Sequence, residues 1–157
     1  MVARILFAEL HDENELSEIL MEYGMGFPGG IEEQVIVKEN ERVVAGAKIV
    51  EYEQRHFFLE VLGVKHDSLY QGIGRLLMTE IVQNPWKCCK YPLSQFEAEK
   101  FYSITTVARG YATDFYKNMG FKPCSFLELP ELFREQCSDC PDKEDCEPVP
   151  MKFIGGI

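Results

Sequence analysis

From Val64 to Leu77 an apolar strand gives way, through Gln71-Gly72-Ile73-Gly74-Arg75, to an amphipathic helix. That order places the chain among folds that mix sheet and helix. Ile73, Leu76, Leu77 and Ile81 mark the buried stripe of the helix, and Asn84-Pro85 stops it. The first turn of such a helix presents unpaired N–H groups and the positive end of the helix dipole, a setting that binds anionic phosphate. Gly72 and Gly74 place no Cβ between a ligand and the backbone, and Arg75 adds a cation. Two glycines before a helix also make an ordinary tight turn. The dinucleotide fingerprint is absent, because position 77 is Leu where a third glycine is needed, and no Gly-Lys-Ser or Gly-Lys-Thr occurs.

The rest of the chain fills in around this unit. Residues 2–7 read as a strand. Asp12, with Glu15 three positions on, reads as the cap of a helix whose apolar stripe is Leu16, Ile19, Leu20 and Tyr23. Gly24, Gly26, Pro28, Gly29 and Gly30 break that helix into a loop. Strands are expected at 35–37, 42–53, 56–64 and 103–107, and a helix at 111–118 closed by Gly120. Residues 86–100 read as irregular and 121–127 as extended. The order β-α-β-β-β-α-β-α-β plus a tail predicts an α/β (α+β) chain with a mixed, mostly antiparallel sheet flanked by helices.

A chain of 157 residues, 46% hydrophobic, suffices for one domain with its own core. No apolar run reaches the roughly 18 residues that span a bilayer, and the N-terminal stretch turns polar by Glu9, His11 and Asp12. The expectation is a cytoplasmic protein without a membrane partner. A net charge of −10 argues against nucleic acid, whose phosphates need basic patches. It suits a cationic partner such as an amine, and it also serves solubility.

Two motifs together resemble the GNAT superfamily of acetyl-coenzyme A-dependent N-acyltransferases. The first is Leu62-Gly63-Val64 at a strand end, followed by Leu69-Tyr70-Gln71-Gly72-Ile73-Gly74 in the register of the family loop Arg/Gln-x-x-Gly-x-Gly/Ala. Leu69 stands where the family has Arg or Gln. The second runs from Arg109 to Phe121, where Ala112, Phe115, Tyr116, Gly120 and Phe121 match Asn-x-x-Ala-x-x-Phe-Tyr-x-x-x-Gly-Phe and Arg109 replaces the Asn. The resemblance covers about residues 2–128. It implies a GNAT-like domain over 1–129 and a Cys-rich, acidic C-terminal extension over 130–157 packed on the same domain.

The resemblance also implies a chemistry. Acetyl-coenzyme A is the cosubstrate, and an amine, small or on a protein, is the acceptor. Gln71, Gly72, Ile73, Gly74 and Arg75 hold the pyrophosphate. Main-chain groups of Leu62 and Val64 face pantetheine and the thioester, and Ala112 lies beside the cofactor. Tyr116 matches the family tyrosine that protonates the leaving sulfur. Glu60 is the candidate general base. It lies two residues before Leu62 on the same strand face, among Phe57, Phe58, Leu59 and Val61, a setting that strengthens a carboxylate as a base. Glu51, Glu53, His56 and His66 are the alternatives. The competing function is a non-catalytic acyl-coenzyme A-binding or metal- or redox-sensing module on the same fold. The chain reads as a monomer or a homodimer.

Six cysteines complete the pattern. Cys124, Cys137, Cys140 and Cys146 would suffice for a tetrahedral zinc site, with Cys137-x-x-Cys140 as its natural half and Cys88-Cys89 as further ligands. A disulfide and free thiols are the other readings. Glu128, Glu131, Glu135, Asp139, Asp142, Glu144, Asp145 and Glu147 make the tail acidic. They form either a lobe that attracts a cationic acceptor or a solvated face.

Overall fold

The computed structural model describes residues 3–69, 71–138 and 147–156. Seven strands form one sheet in the order β1-β2-β3-β4-β5-β7-β6. They are β1 (Arg4–Phe7), β2 (Val35–Glu39), β3 (Arg42–Glu53), β4 (His56–Val64), β5 (Tyr102–Ala108), β6 (Lys122–Pro123) and β7 (Val149–Gly155). The helices are α1 (Glu13–Met21), α2 (Ile73–Gln83), α3 (Pro85–Cys88), α4 (Thr113–Asn118) and α5 (Glu131–Ser138). The sheet is mostly antiparallel, with β4 and β5 parallel from His56↔Ser103 to Leu59↔Thr106. The chain divides into two units, residues 1–50 with 60–92 and residues 51–59 with 93–157.

In the first unit, α1 buries Leu16, Ile19 and Leu20 in a cluster with Ala8, Ile36, Val43 and Val61. Gly46 on β3 makes the close approach possible, since a Cβ there would lie 2.3 Å from Leu16 Cδ1. Asp12 stands at the N-cap of α1 as the sequence predicts, but its side chain makes no capping hydrogen bond. Its side chain is buried and paired with Lys38 Nζ at 2.8 Å, and its Oδ2 accepts from Glu9 N at 2.9 Å. The buried ammonium on β2 outcompetes the helix end for that carboxylate. A 3-10 turn, Leu10–Asp12, precedes the helix.

In the second unit, β5 pairs with β7 from Tyr102↔Gly155 to Ala108↔Val149. The segment expected as an extension from residue 130 therefore supplies a strand of the sheet. Tyr116, Phe121 and Phe153 pack in sequence, with ring centroids 5.4 Å and 5.6 Å apart. Phe58 stacks on Phe133 at 4.1 Å. Residues 121–127, predicted extended, keep only two strand residues. The Ser125 hydroxyl accepts from Leu127 N, and Glu128 accepts from Ser125 N, which winds the chain into a 3-10 turn.

Candidate active site

Gly72 is the N-cap of α2 and has φ 81°. That left-handed conformation is costly for any residue with a Cβ. The space around Gly72 is open, with no atom within 4 Å of where a Cβ would stand. Among the described residues no side chain caps this end, and the first helical bond runs from Leu76 N to Gly72 O at 2.9 Å. The amides of Ile73, Gly74 and Arg75 precede it, and Gln71, Gly72 and Arg75 are exposed. Gln71 Nε2 donates to Asp67 O at 3.4 Å, which ties the turn to the segment after β4. The result is an accessible helix N-terminus beside one guanidinium, suited to an anionic group.

β4 delivers two further features of the same unit. Lys65 N donates to Val44 O on β3 at 2.8 Å. Successive amides of an extended chain point to opposite edges, so those of Leu62 and Val64 point away from β3. The carbonyl of Val64 is held by the Tyr23 hydroxyl. His66 packs edge-on against Tyr23, and its Nδ1 lies 2.9 Å from Glu22 Oε2. With the His66 amide donating to the same Glu22 oxygen at 3.0 Å, this contact holds the turn after β4.

Glu60 is largely buried, and its neighbour is a cation rather than the purely apolar wall the sequence suggests. Lys48 Nζ, on β3, lies 2.7 Å from Glu60 Oε2 and 3.7 Å from Glu33 Oε1. Sequence reasoning missed Lys48. The signal was present as the one charge inside Val43-Val44-Ala45-Gly46-Ala47-Lys48-Ile49, because a lysine in a buried strand needs a partner.

In the second unit, Tyr116 is buried on α4 and burial pushes its phenol above the ordinary tyrosine range. The side chain of Thr106 lies beside its hydroxyl, and the Thr106 hydroxyl donates to Leu59 O at 2.9 Å. Ala112 is the N-cap residue of α4. Two of the alternative bases, Glu51 and His56, are engaged elsewhere. Glu51 is buried and accepts from the amides of Arg55 at 2.7 Å, Leu93 at 2.6 Å and Ser94 at 3.0 Å, and from the Ser94 hydroxyl. With its lone pairs so occupied it staples the start of the 93–101 segment rather than accepting a substrate proton. His56 Nδ1 lies 2.7 Å from Ser103 Oγ, between the rings of Tyr52 and Phe101.

Of the four expected zinc ligands, Cys140, Cys146 and the side chain of Cys137 lie outside the described residues. Cys124 and Cys88 are free thiols. Burial first, then Glu128, pushes Cys124 up to about 11. Among the described residues no three His, Cys, Asp or Glu side chains converge on one point. No helix of the described residues is long and apolar enough to cross a membrane.

No family model and no curated protein matches the chain by sequence. Solved structures do match by shape. N-acetylglutamate synthase from Neisseria gonorrhoeae, complexed with coenzyme A and N-acetyl-glutamate, superposes with a TM-score of 0.74 at 15% identity over 98% of this chain. The chain spans 35% of that protein's length. Ard1 from Thermoplasma volcanium gives 0.71 at 15% identity, with 98% of each chain covered. The ribosomal-protein-S18-alanine N-acetyltransferase of Escherichia coli gives 0.68 at 15% identity, over 99% of this chain and 96% of that one. The chain has the GNAT acetyltransferase fold. The α2 entry at Gly72 is the turn that the first of the two sequence motifs singled out. The match extends through β7, beyond the 2–128 range that the motifs cover.

Proposed function

We propose that this chain is an acyltransferase that moves an acetyl group from acetyl-coenzyme A to an amine. The observation that carries the reading is the accessible N-terminus of α2, which no described side chain caps and which is entered through Gly72 at φ 81° after β4 and a short 3-10 turn. It stands in a fold shared with a structure solved with coenzyme A. On this reading the amides of Ile73, Gly74 and Arg75, the Arg75 guanidinium and Gln71 receive the pyrophosphate. The amides of Leu62 and Val64 serve pantetheine and the thioester oxygen, consistent with their direction away from β3. On the same reading Ala112, the N-cap residue of α4, is a further cofactor contact.

Glu60 takes the proton of the acceptor amine, the freed nitrogen attacks the thioester carbon, and the carbon–sulfur bond breaks. Tyr116 supplies the proton to the departing sulfur. A cationic acceptor fits a chain of net charge −10. Thiol release from acetyl-coenzyme A, measured with a panel of cationic amines and amine-bearing peptides, tests the reading. Amine-dependent release is expected. Tight coenzyme A binding without release for any amine would replace it with a non-catalytic acyl-coenzyme A-binding module.

A further inference from the structure

Lys48 sits where three elements of the first unit meet. Its side chain is 8% exposed and that of Glu60 is 12% exposed, so the 2.7 Å pair between them is shielded from water. The two oxygens of Glu60 differ. Oε2 is buried against the ammonium, at ion-pair distance but without a hydrogen bond of normal angle. Oε1 has no bonding partner among the described residues. One oxygen of the carboxylate is thus anchored and the other is left open.

The same ammonium reaches the loop before β2. Glu33 Oε1 lies 3.7 Å from Lys48 Nζ, and Glu33 Oε2 accepts from Gly30 N at 2.6 Å. Gln34, fully buried, donates from Nε2 to Pro28 O at 2.7 Å and to Gly30 O at 3.2 Å. A Cβ on Gly29 would stand 2.8 Å from Lys48 Nζ, so the loop backbone lies directly on the ammonium. A buried cation between two carboxylates on different elements fixes both more firmly than an exposed pair would.

We propose that Lys48 is a positioning residue, which holds Glu60 and the Pro28–Gly30 loop in one register so that Glu60 presents Oε1 to the acceptor amine. The inference rests on the acetyl-transfer reading and adds a residue which neither motif contains. Lys48 touches no reacting atom. Its effect is on where the base and the loop stand, and a shift of about 1 Å at a base costs up to about a hundredfold in rate.

The test compares Lys48→Met, Lys48→Arg and Glu33→Gln in the full chain. Coenzyme A affinity by calorimetry and the thermal midpoint report folding. Kinetics with the best amine report the site. For Lys48→Met the expectation is retained coenzyme A affinity with kcat lowered about thirtyfold. Lys48→Arg, which keeps the charge, is expected to recover kcat to within about threefold of wild type. Glu33→Gln is expected to raise the acceptor KM about tenfold with kcat little changed, because it loosens the loop and leaves the Lys48–Glu60 pair. Full kcat in Lys48→Met, or equal losses in the Met and Arg variants, would overturn the proposal. If Lys48→Met does not fold, Glu33→Gln decides: an unchanged acceptor KM overturns it. Absence of amine-dependent thiol release in the wild type would instead count against the acetyl-transfer reading.

Discussion

Thr106 Oγ1 donates a 2.9 Å hydrogen bond to the carbonyl oxygen of Leu59, and these two residues form the last rung of the parallel β4–β5 ladder. The phenol of Tyr116, buried on α4, lies beside that threonine side chain.

That arrangement predicts how Tyr116→Phe behaves. The variant is expected to bind coenzyme A as wild type does and to lose about a hundredfold or more in kcat, as for a lost general acid. Undiminished turnover with a good acceptor would remove Tyr116 from the chemistry. A pH consequence follows from burial, which raises the phenol above its ordinary value. A group with a raised pKa stays protonated to higher pH. The wild-type kcat is thus expected to show no alkaline fall from this residue below about pH 10. Turnover measured from pH 6 to 10 checks it.

Gly72→Ala separates the backbone role of that glycine from any packing role. The site is open, so a methyl group meets nothing, but φ 81° is unfavourable for alanine by about 1 kcal/mol. A small loss of stability in urea unfolding is expected. Coenzyme A affinity is expected to fall by about tenfold or more, because relaxing φ re-aims the first-turn amides. Calorimetry showing unchanged affinity would exclude this helix end from the site.

The fold was legible where periodicity and glycine placement spoke together. Gly72, Ile73 and Asn84 bounded α2 correctly because a left-handed entry, an apolar stripe and a proline stop act locally. The position of Asp12 at the head of α1 was legible, but its side-chain partner was not, because Lys38, on β2, decides it. The site followed the same division. Motif spacing placed Gly72 at a helix entry and Tyr116 on a helix, whereas the neighbour of Glu60, Lys48, comes from another strand. Such contacts are set by register, which single-residue patterns do not encode.

The Asp12–Lys38 pair predicts an acid-sensitive contribution to stability. Burial raises the Asp12 carboxyl, but the Lys38 ammonium and the Glu9 amide outweigh it and leave the carboxyl below its usual value. A depressed folded value means that the contribution is present above the unfolded value near 3.9 and is lost as pH falls through the folded one. Asp12→Asn leaves Lys38 buried without its counter-ion, which costs about 3 kcal/mol at pH 7. In urea unfolding the gap between wild type and variant is expected to narrow steadily below about pH 4. A gap that stays constant from pH 7 to pH 3 would show that packing, not charge, carries the effect.

The described thiols divide by burial, and this is open to direct chemical test. Cys88 on α3 is 2% exposed, and burial first, then Glu80 and Cys89, pushes its thiol up to about 12. The thiolate is the reactive form, and at pH 8 a thiol at about 12 holds roughly one part in ten thousand as thiolate. An ordinary cysteine near 8.5 holds about a quarter. Alkylation of the native protein at pH 8 is therefore expected to spare Cys88 almost completely. Cys124, half-buried with a thiol near 11, is expected to react slowly but measurably. Peptide mapping after timed labelling, native and in urea, reads both positions in one experiment. Labelling of Cys88 in the native protein at the rate seen in urea would mean that α3 opens on the timescale of the reaction, and that its burial does not protect it.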